Sequence, residues 1–133
     1  MAQSLAGVGP FFGYFALALL FEFLFAAAYT AITPYHEIAL IREGNIAAAT
    51  SLTGSLIGFS LPLAKAVAQS AGLIDMFLWS LLGFIAQLVA YAVVRLALPH
   101  LVIDVKEGKQ ASAILLAGAS IAVGLVNGAA MTL

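Results

Sequence analysis

Cysteine is absent from this sequence, which removes disulfides, thiolate metal sites and thiol nucleophiles together. Charge is scarce: only 8% of the 133 residues are Asp, Glu, Lys or Arg, against about 25% in an ordinary soluble domain. So little charge cannot keep a folded surface of this size in water. The net charge of −1 leaves no basic surface for nucleic acid, and no nucleic-acid partner is expected. No long polar stretch is available for a separate extramembrane domain. A phosphate loop, a nucleophile elbow and an HExxH helix are all missing, so neither an enzyme nor a cofactor is expected. No Lys or Arg precedes the first apolar run. That segment is therefore expected to stay as a permanent helix rather than to be removed as a signal peptide.

What is present is apolar. Hydrophobic residues make up 64% of the chain and the mean hydropathy is +1.12. Four runs are long enough to cross a bilayer, which takes about 20 apolar residues. The first spans about Pro10 to Thr33 and is rich in Phe and Tyr; Pro34 ends it. The second starts at the N-cap residue Asn45 and continues to about Gln69, with a kink expected at Pro62. The third runs from Asp75, another expected N-cap, to Leu98, and the fourth from near Lys109 to the carboxy terminus. The expected fold class is all-α, an integral membrane four-helix protein in a single domain over residues 1–133.

The sequence also matches itself. Shifted by 64 positions, Gly44 falls on Gly108, Ala47 on Ala111, Leu52 on Leu116 and Gly54 on Gly118. His36 falls on His100, Arg42 on Lys106 and Glu43 on Glu107. The chain reads as two tandem two-helix repeats, about 10–69 and 74–133. Each copy crosses twice, so the copies share a parallel orientation. Arg42, Arg95, Lys106 and Lys109 gather at the two long loops, and only Lys65 lies opposite. The positive-inside rule therefore places both loops in the cytoplasm and both termini in the periplasm.

Three blocks carry a family resemblance: HEIALIREGNIAAATSLTGSLIGFSLPLA at 36–64, SLLGFIAQLVAYAVVRLALPHLV at 80–102 and ASAILLAGASIAVGLVNGAAM at 111–131. With them the chain resembles the YjfL-like family of small bacterial inner-membrane proteins, a domain of unknown function. The resemblance implies a multi-pass protein of the bacterial inner membrane. It brings no activity, substrate or site residue, and it puts a membrane-stress protein among the candidate partners, beside the lipid bilayer itself.

Single residues then carry the functional argument. Glu22 stands in the middle of the first run, where an ionised carboxylate costs about 2.5–3.5 kcal/mol or more. It reads either as a proton or cation site or as a protonated structural acid bonded to Tyr29 or Gln87. Gln87 and Tyr91 share a face of the third run and form, with Glu22, the candidate ion pathway; alternatively they are interhelical hydrogen-bond partners. Gly54 and Gly58, and likewise Ser120, Gly124 and Gly128, form small-residue faces for close helix packing. Those faces also suggest a homo-oligomer. Arg95 is expected to snorkel to the headgroups. The loop residues His36, Glu37, Arg42, Glu43, His100, Asp104, Lys106 and Glu107 read as solvated turn charges, since their spacing supports no metal site. Two functions follow: a small channel or transporter for protons or cations using Glu22, or a non-transporting membrane scaffold or stress-response subunit.

Overall fold

The computed structural model describes residues 6–131. Six helices lie in it: α1 (Val8–Ile32), α2 (Glu37–Arg42), α3 (Ile46–Gln69), α4 (Leu73–Ala97), α5 (Leu101–Lys106) and α6 (Gln110–Ala130). There is no strand among the described residues. Helices α1, α3, α4 and α6 are long and apolar enough to span a membrane; at about 1.5 Å per residue, even the shortest covers about 30 Å. The expectation that the fourth helix reaches the carboxy terminus ends at Ala130, and the final two residues lie outside those described.

Helix boundaries follow local chemistry. Helix α1 stops at Thr33, whose extended ψ of 133° is what the following Pro34 demands. Asn45 caps α3, its Oδ1 accepting from Ala48 N at 3.0 Å. At α4 the sequence reading needs correction. The helix begins two residues before Asp75, with Gly72 at the cap position. Asp75 instead accepts from Ala71 N at 2.9 Å from within the first turn.

The two loops expected as irregular charged turns each hold a short helix. Helix α2 places Glu37 in its first turn and Arg42 in its last, and α5 places Asp104 and Lys106 likewise, which suits the helix dipole. Both helices close in a Schellman turn. Gly44 takes φ 88° and Gly108 φ 77°, a region that side chains disfavour. Gly44 N donates to Ile41 O and Asn45 N to Leu40 O; Gly108 N donates to Val105 O and Lys109 N to Asp104 O. The two connections also meet. Asn45 Nδ2 donates to Val105 O at 2.9 Å and to Lys106 O at 3.2 Å. Both connections therefore lie at one end of the helices.

Helices α3 and α6 form the tightest pair. A Cβ at Gly54 would collide with Ala117, one at Gly58 with the Ser120 carbonyl, and one at Gly124 with the Gly58 carbonyl. Pro62 explains the last approach in part. It has no N–H to offer the Gly58 carbonyl one turn before it, and the bare Cα of Gly124 lies against that oxygen. A Cβ at Gly128 would meet Leu61 O at 3.4 Å, an ordinary contact. The small residues of α3 and α6 thus pack on each other within one chain. They no longer argue for self-association, which was their second role in the sequence reading. Helices α1 and α4 flank the pair and leave long apolar faces outward, including Phe12, Phe23, Ile74 and Leu96.

Candidate functional site

On α1, Phe21, Phe25 and Tyr29 form the buried stripe, spaced by one helical turn, with Glu22 at its edge. Glu22 is half-buried, and its Oε1 lies 3.0 Å from Ser60 Oγ of α3. The same hydroxyl is 2.7 Å from Leu56 O. Ser60 has one hydrogen for these two acceptors. When it goes to Leu56, the contact with Glu22 persists only if the carboxyl carries a proton and donates it. Neither Tyr29 nor Gln87, the partners expected from sequence, takes this place.

Gln87 faces the other way. It is buried, its Nε2 donates to Ser120 O at 3.1 Å, and its Oε1 accepts from Asn127 Nδ2 at 3.3 Å. Asn127 also donates to Gly83 O at 3.1 Å. These contacts tie α4 to α6. Glu22, Gln87 and Tyr91 are therefore not gathered into one polar path: Glu22 belongs to the α1–α3 seam, and Gln87 to the α4–α6 seam.

Tyr91 joins a different group. Its ring stands edge-on to Tyr29 at 5.1 Å. Around this pair the structure buries Tyr35, Ser55 and Glu37, the last only 2% exposed. The sequence reading of Glu37 as a solvated turn charge is thereby overturned. Its side chain opens the short helix α2 and turns under the end of α1 rather than outward. The 64-residue shift held the signal: position 37 falls on Leu101, which is 1% exposed.

The hydroxyls of Tyr29, Tyr35, Tyr91 and Ser55 and both Glu37 carboxylate oxygens are buried and close no hydrogen bond with the protein. Thr33 lies beside Glu37 but gives its hydrogen to Thr30 O at 3.1 Å. Ser51 lies beside Tyr35 and gives its hydrogen to Ala48 O at 3.1 Å. Ser55 sits next to Tyr29, and Arg95 next to Tyr91. Arg95 itself is exposed, with Nη1 3.5 Å from Ile32 O at the end of α1. Burial pushes the Glu37 carboxyl up to about 7. Burial, and then the charge of Glu37, raise Tyr35 above the ordinary phenol range.

Clefts approach the group from more than one side. One of about 340 Å³ is lined by Thr30, Tyr35, His36 and Glu37. Another, of about 700 Å³, is lined by Tyr91, Arg95, Ile32 and Pro34. Along the helices, away from the connections, the group ends at an aromatic layer. Phe25 stacks on Phe59 at 4.7 Å, and Phe84 meets both edge-on at 5.5 and 5.6 Å. Glu22 lies one turn beyond that layer. Among the described residues, no cluster of three or more His, Cys, Asp or Glu could hold a metal ion.

Comparison with known proteins agrees with the resemblance. The sequence matches the family described as "Domain of Unknown Function (DUF350)" over residues 3–131. It is 32% identical over 122 residues to "UPF0719 inner membrane protein YjfL" of Escherichia coli (strain K12), covering 92% of each chain. It is 28% identical over 91 residues to "UPF0719 transmembrane protein YshE" of Bacillus subtilis (strain 168), covering 68% of each. No solved structure matches. A chain with four apolar spans, matched almost end to end in this way, belongs to the DUF350 family, the YjfL-like membrane proteins.

Proposed function

We propose that the protein passes a proton or a small cation along the α1–α3 seam, under the control of the aromatic layer. One observation carries the reading: ionisable groups stand on both sides of that layer. Glu22 with Ser60 lies on one side, and Tyr29, Tyr91 and Glu37 lie on the other. Carboxylates within membrane spans are costly and rare, and they commonly mark ion and proton routes. A layer of stacked rings is a closure that a small rotation of Phe59 or Phe84 can open. In this reading Gln87 fastens α4 to α6 and the route passes it by. The matched Schellman turns support two parallel copies of a helix pair, and the Lys and Arg residues gathered near the connections favour connections in the cytoplasm and both termini in the periplasm.

The test is flux into proteoliposomes under an imposed pH or sodium gradient. Wild type should conduct slowly, Glu22→Gln should lose conduction, and Phe59→Ala should raise it. No flux from either wild type or Phe59→Ala would refute transport. A second reading is favoured by the completeness of the Phe25–Phe59–Phe84 closure and by the Ser60 partner of Glu22. It makes the chain a non-transporting membrane scaffold or stress-response subunit. In that case Glu22→Gln should change nothing in flux, and Glu22→Ala should lower stability only.

A further inference from the structure

Six oxygens belong to neighbouring side chains under the connection end: the carboxylate pair of Glu37 and the hydroxyls of Tyr29, Tyr35, Tyr91 and Ser55. Every one belongs to a residue at most 5% exposed, and none closes a hydrogen bond with the protein. Unpaired buried polar atoms are costly, and one such atom needs a reason. A cluster of six calls for a shared one.

A single proton on Glu37 would satisfy one or two of these oxygens and leave the phenols as they are. A hard cation answers all of them, because such ions take about six oxygen ligands and no nitrogen or sulfur. The charge of the cluster then selects the ion. Glu37 is its only carboxylate, and among the described residues no group of three or more His, Cys, Asp or Glu could hold a metal ion. One negative charge balances one positive charge. A divalent ion would leave a surplus positive charge in a buried place, with the Arg95 guanidinium nearby.

We propose that Glu37 and the hydroxyls of Tyr29, Tyr35 and Tyr91 form a binding site for a monovalent alkali cation. The ion reaches it through the cleft lined by Thr30, Tyr35 and His36. The ionisable groups around Glu37 are Tyr29 on α1, Tyr35 and His36 on the connection, and Tyr91 and Arg95 on α4. Helix α3 contributes only the hydroxyls of Ser51 and Ser55, while Lys106 of α5 lines the next cleft, beside Tyr35. A proton and the cation compete for one carboxylate, so acid should weaken binding. The proposal deepens the seam reading by naming the ion at its connection end. It is tested by binding rather than flux, so the two can fail separately.

The purified protein in nanodiscs at pH 8 is titrated with NaCl, and separately with KCl, against choline chloride at constant ionic strength. Tyrosine difference absorbance and thermal unfolding are read together. At least one alkali cation should give a saturating tyrosine signal and a rise in Tm that choline does not. The response should weaken at pH 5.5, vanish in Glu37→Gln, and lose about tenfold or more in apparent affinity in Tyr35→Phe. Glu107→Gln, an exposed acid on the matching connection, should respond as wild type does. Should Glu37→Gln fail to fold, the pH 5.5 arm and Tyr35→Phe decide. Equal responses to choline and alkali cations would overturn the site. So would a response that survives Glu37→Gln, strengthens in acid, or is taken over by MgCl2 at equal concentration. Flux without alkali binding would remove this site and leave the seam route standing.

Discussion

Gly124 and Gly118 stand six residues apart on α6 and should answer the same substitution with opposite signs. A Cβ at Gly124 would overlap the Gly58 carbonyl oxygen and lie 2.9 and 3.0 Å from the Gly58 carbonyl carbon and Cα. Comfortable carbon–carbon separation is about 3.5–4.0 Å. The obstacle is backbone, which cannot swing aside as a side chain can. The helices would have to part by roughly 0.5–1 Å, and contacts opened that far forfeit about a quarter to a half of their attraction. Overpacking of this kind costs about 1–3 kcal/mol, and a rigid neighbour puts Gly124→Ala at the upper end. Alanine returns up to about 1 kcal/mol through helix propensity, for a net loss of about 1–2 kcal/mol. Gly118→Ala has nothing within 4 Å and keeps the whole propensity gain of up to about 1 kcal/mol. Reversible unfolding in mixed micelles, followed by helical circular dichroism, should order the proteins Gly118→Ala, wild type, Gly124→Ala. If Gly124→Ala proved as stable as Gly118→Ala, α3 and α6 would not meet through Gly58 and Gly124, and the packing argument would fail.

Asn45→Ala should cost about 1–2 kcal/mol in the same titration, because it removes the α3 cap and the donor to the Val105 and Lys106 carbonyls. Asn45→Asp keeps the cap alone and should fall between. Reporter fusions at Gly44 and Gly108 should both read as cytoplasmic and one at Ala130 as periplasmic; opposite sides for the two glycines would contradict the shared connection end. Stability should also depend on pH through Glu37. Its carboxyl is raised from 4.5 to about 7 on folding, so between those values the folded state holds a proton that the unfolded state has lost. Stability is then greatest below about 4.5, falls as pH rises to about 7 and is level above; at about 1.4 kcal/mol per unit the fall is roughly 3 kcal/mol. In choline buffer Glu37→Gln should flatten this slope, and an unchanged slope would place Glu37 in water.

The spans were legible because length and hydropathy act over more than 20 residues, and a cap such as Asn45 or a stop such as Pro34 acts locally. Gly54, Gly58 and Gly124 were legible as small residues, though which helix they would meet was not. The short helices α2 and α5 escaped because six residues carry too little periodicity, and their charges resemble those of a turn. Ser60 escaped for another reason. A hydroxyl that bonds to its own helix, as Ser60 does to Leu56, gives no sign in sequence that it also faces a carboxylate across the seam. Glu37 looked solvated because charge usually is, and burial there depends on a turn of the chain that Pro34 and α2 set together.

The pairing of Glu37 with Leu101 separates what the fold needs from what the site needs. Each residue opens a short helix beneath the end of a long one, and each is buried. At Leu101 the place is filled by an apolar side chain, as packing alone would have it. At Glu37 the same kind of place holds an acid without a protein partner, surrounded by hydroxyls. Replacing even a buried ion pair by apolar residues of similar volume is often neutral or stabilising, and among the described residues Glu37 has no ion-pair partner to strand. Glu37→Leu should therefore leave the fold intact above pH 7, or make it firmer, while abolishing any alkali-cation response. A loss of stability in that variant would mean that the acid serves the fold after all. A gain would mean that the fold tolerates a cost at this position, and a binding role supplies the reason for an acid to stand there.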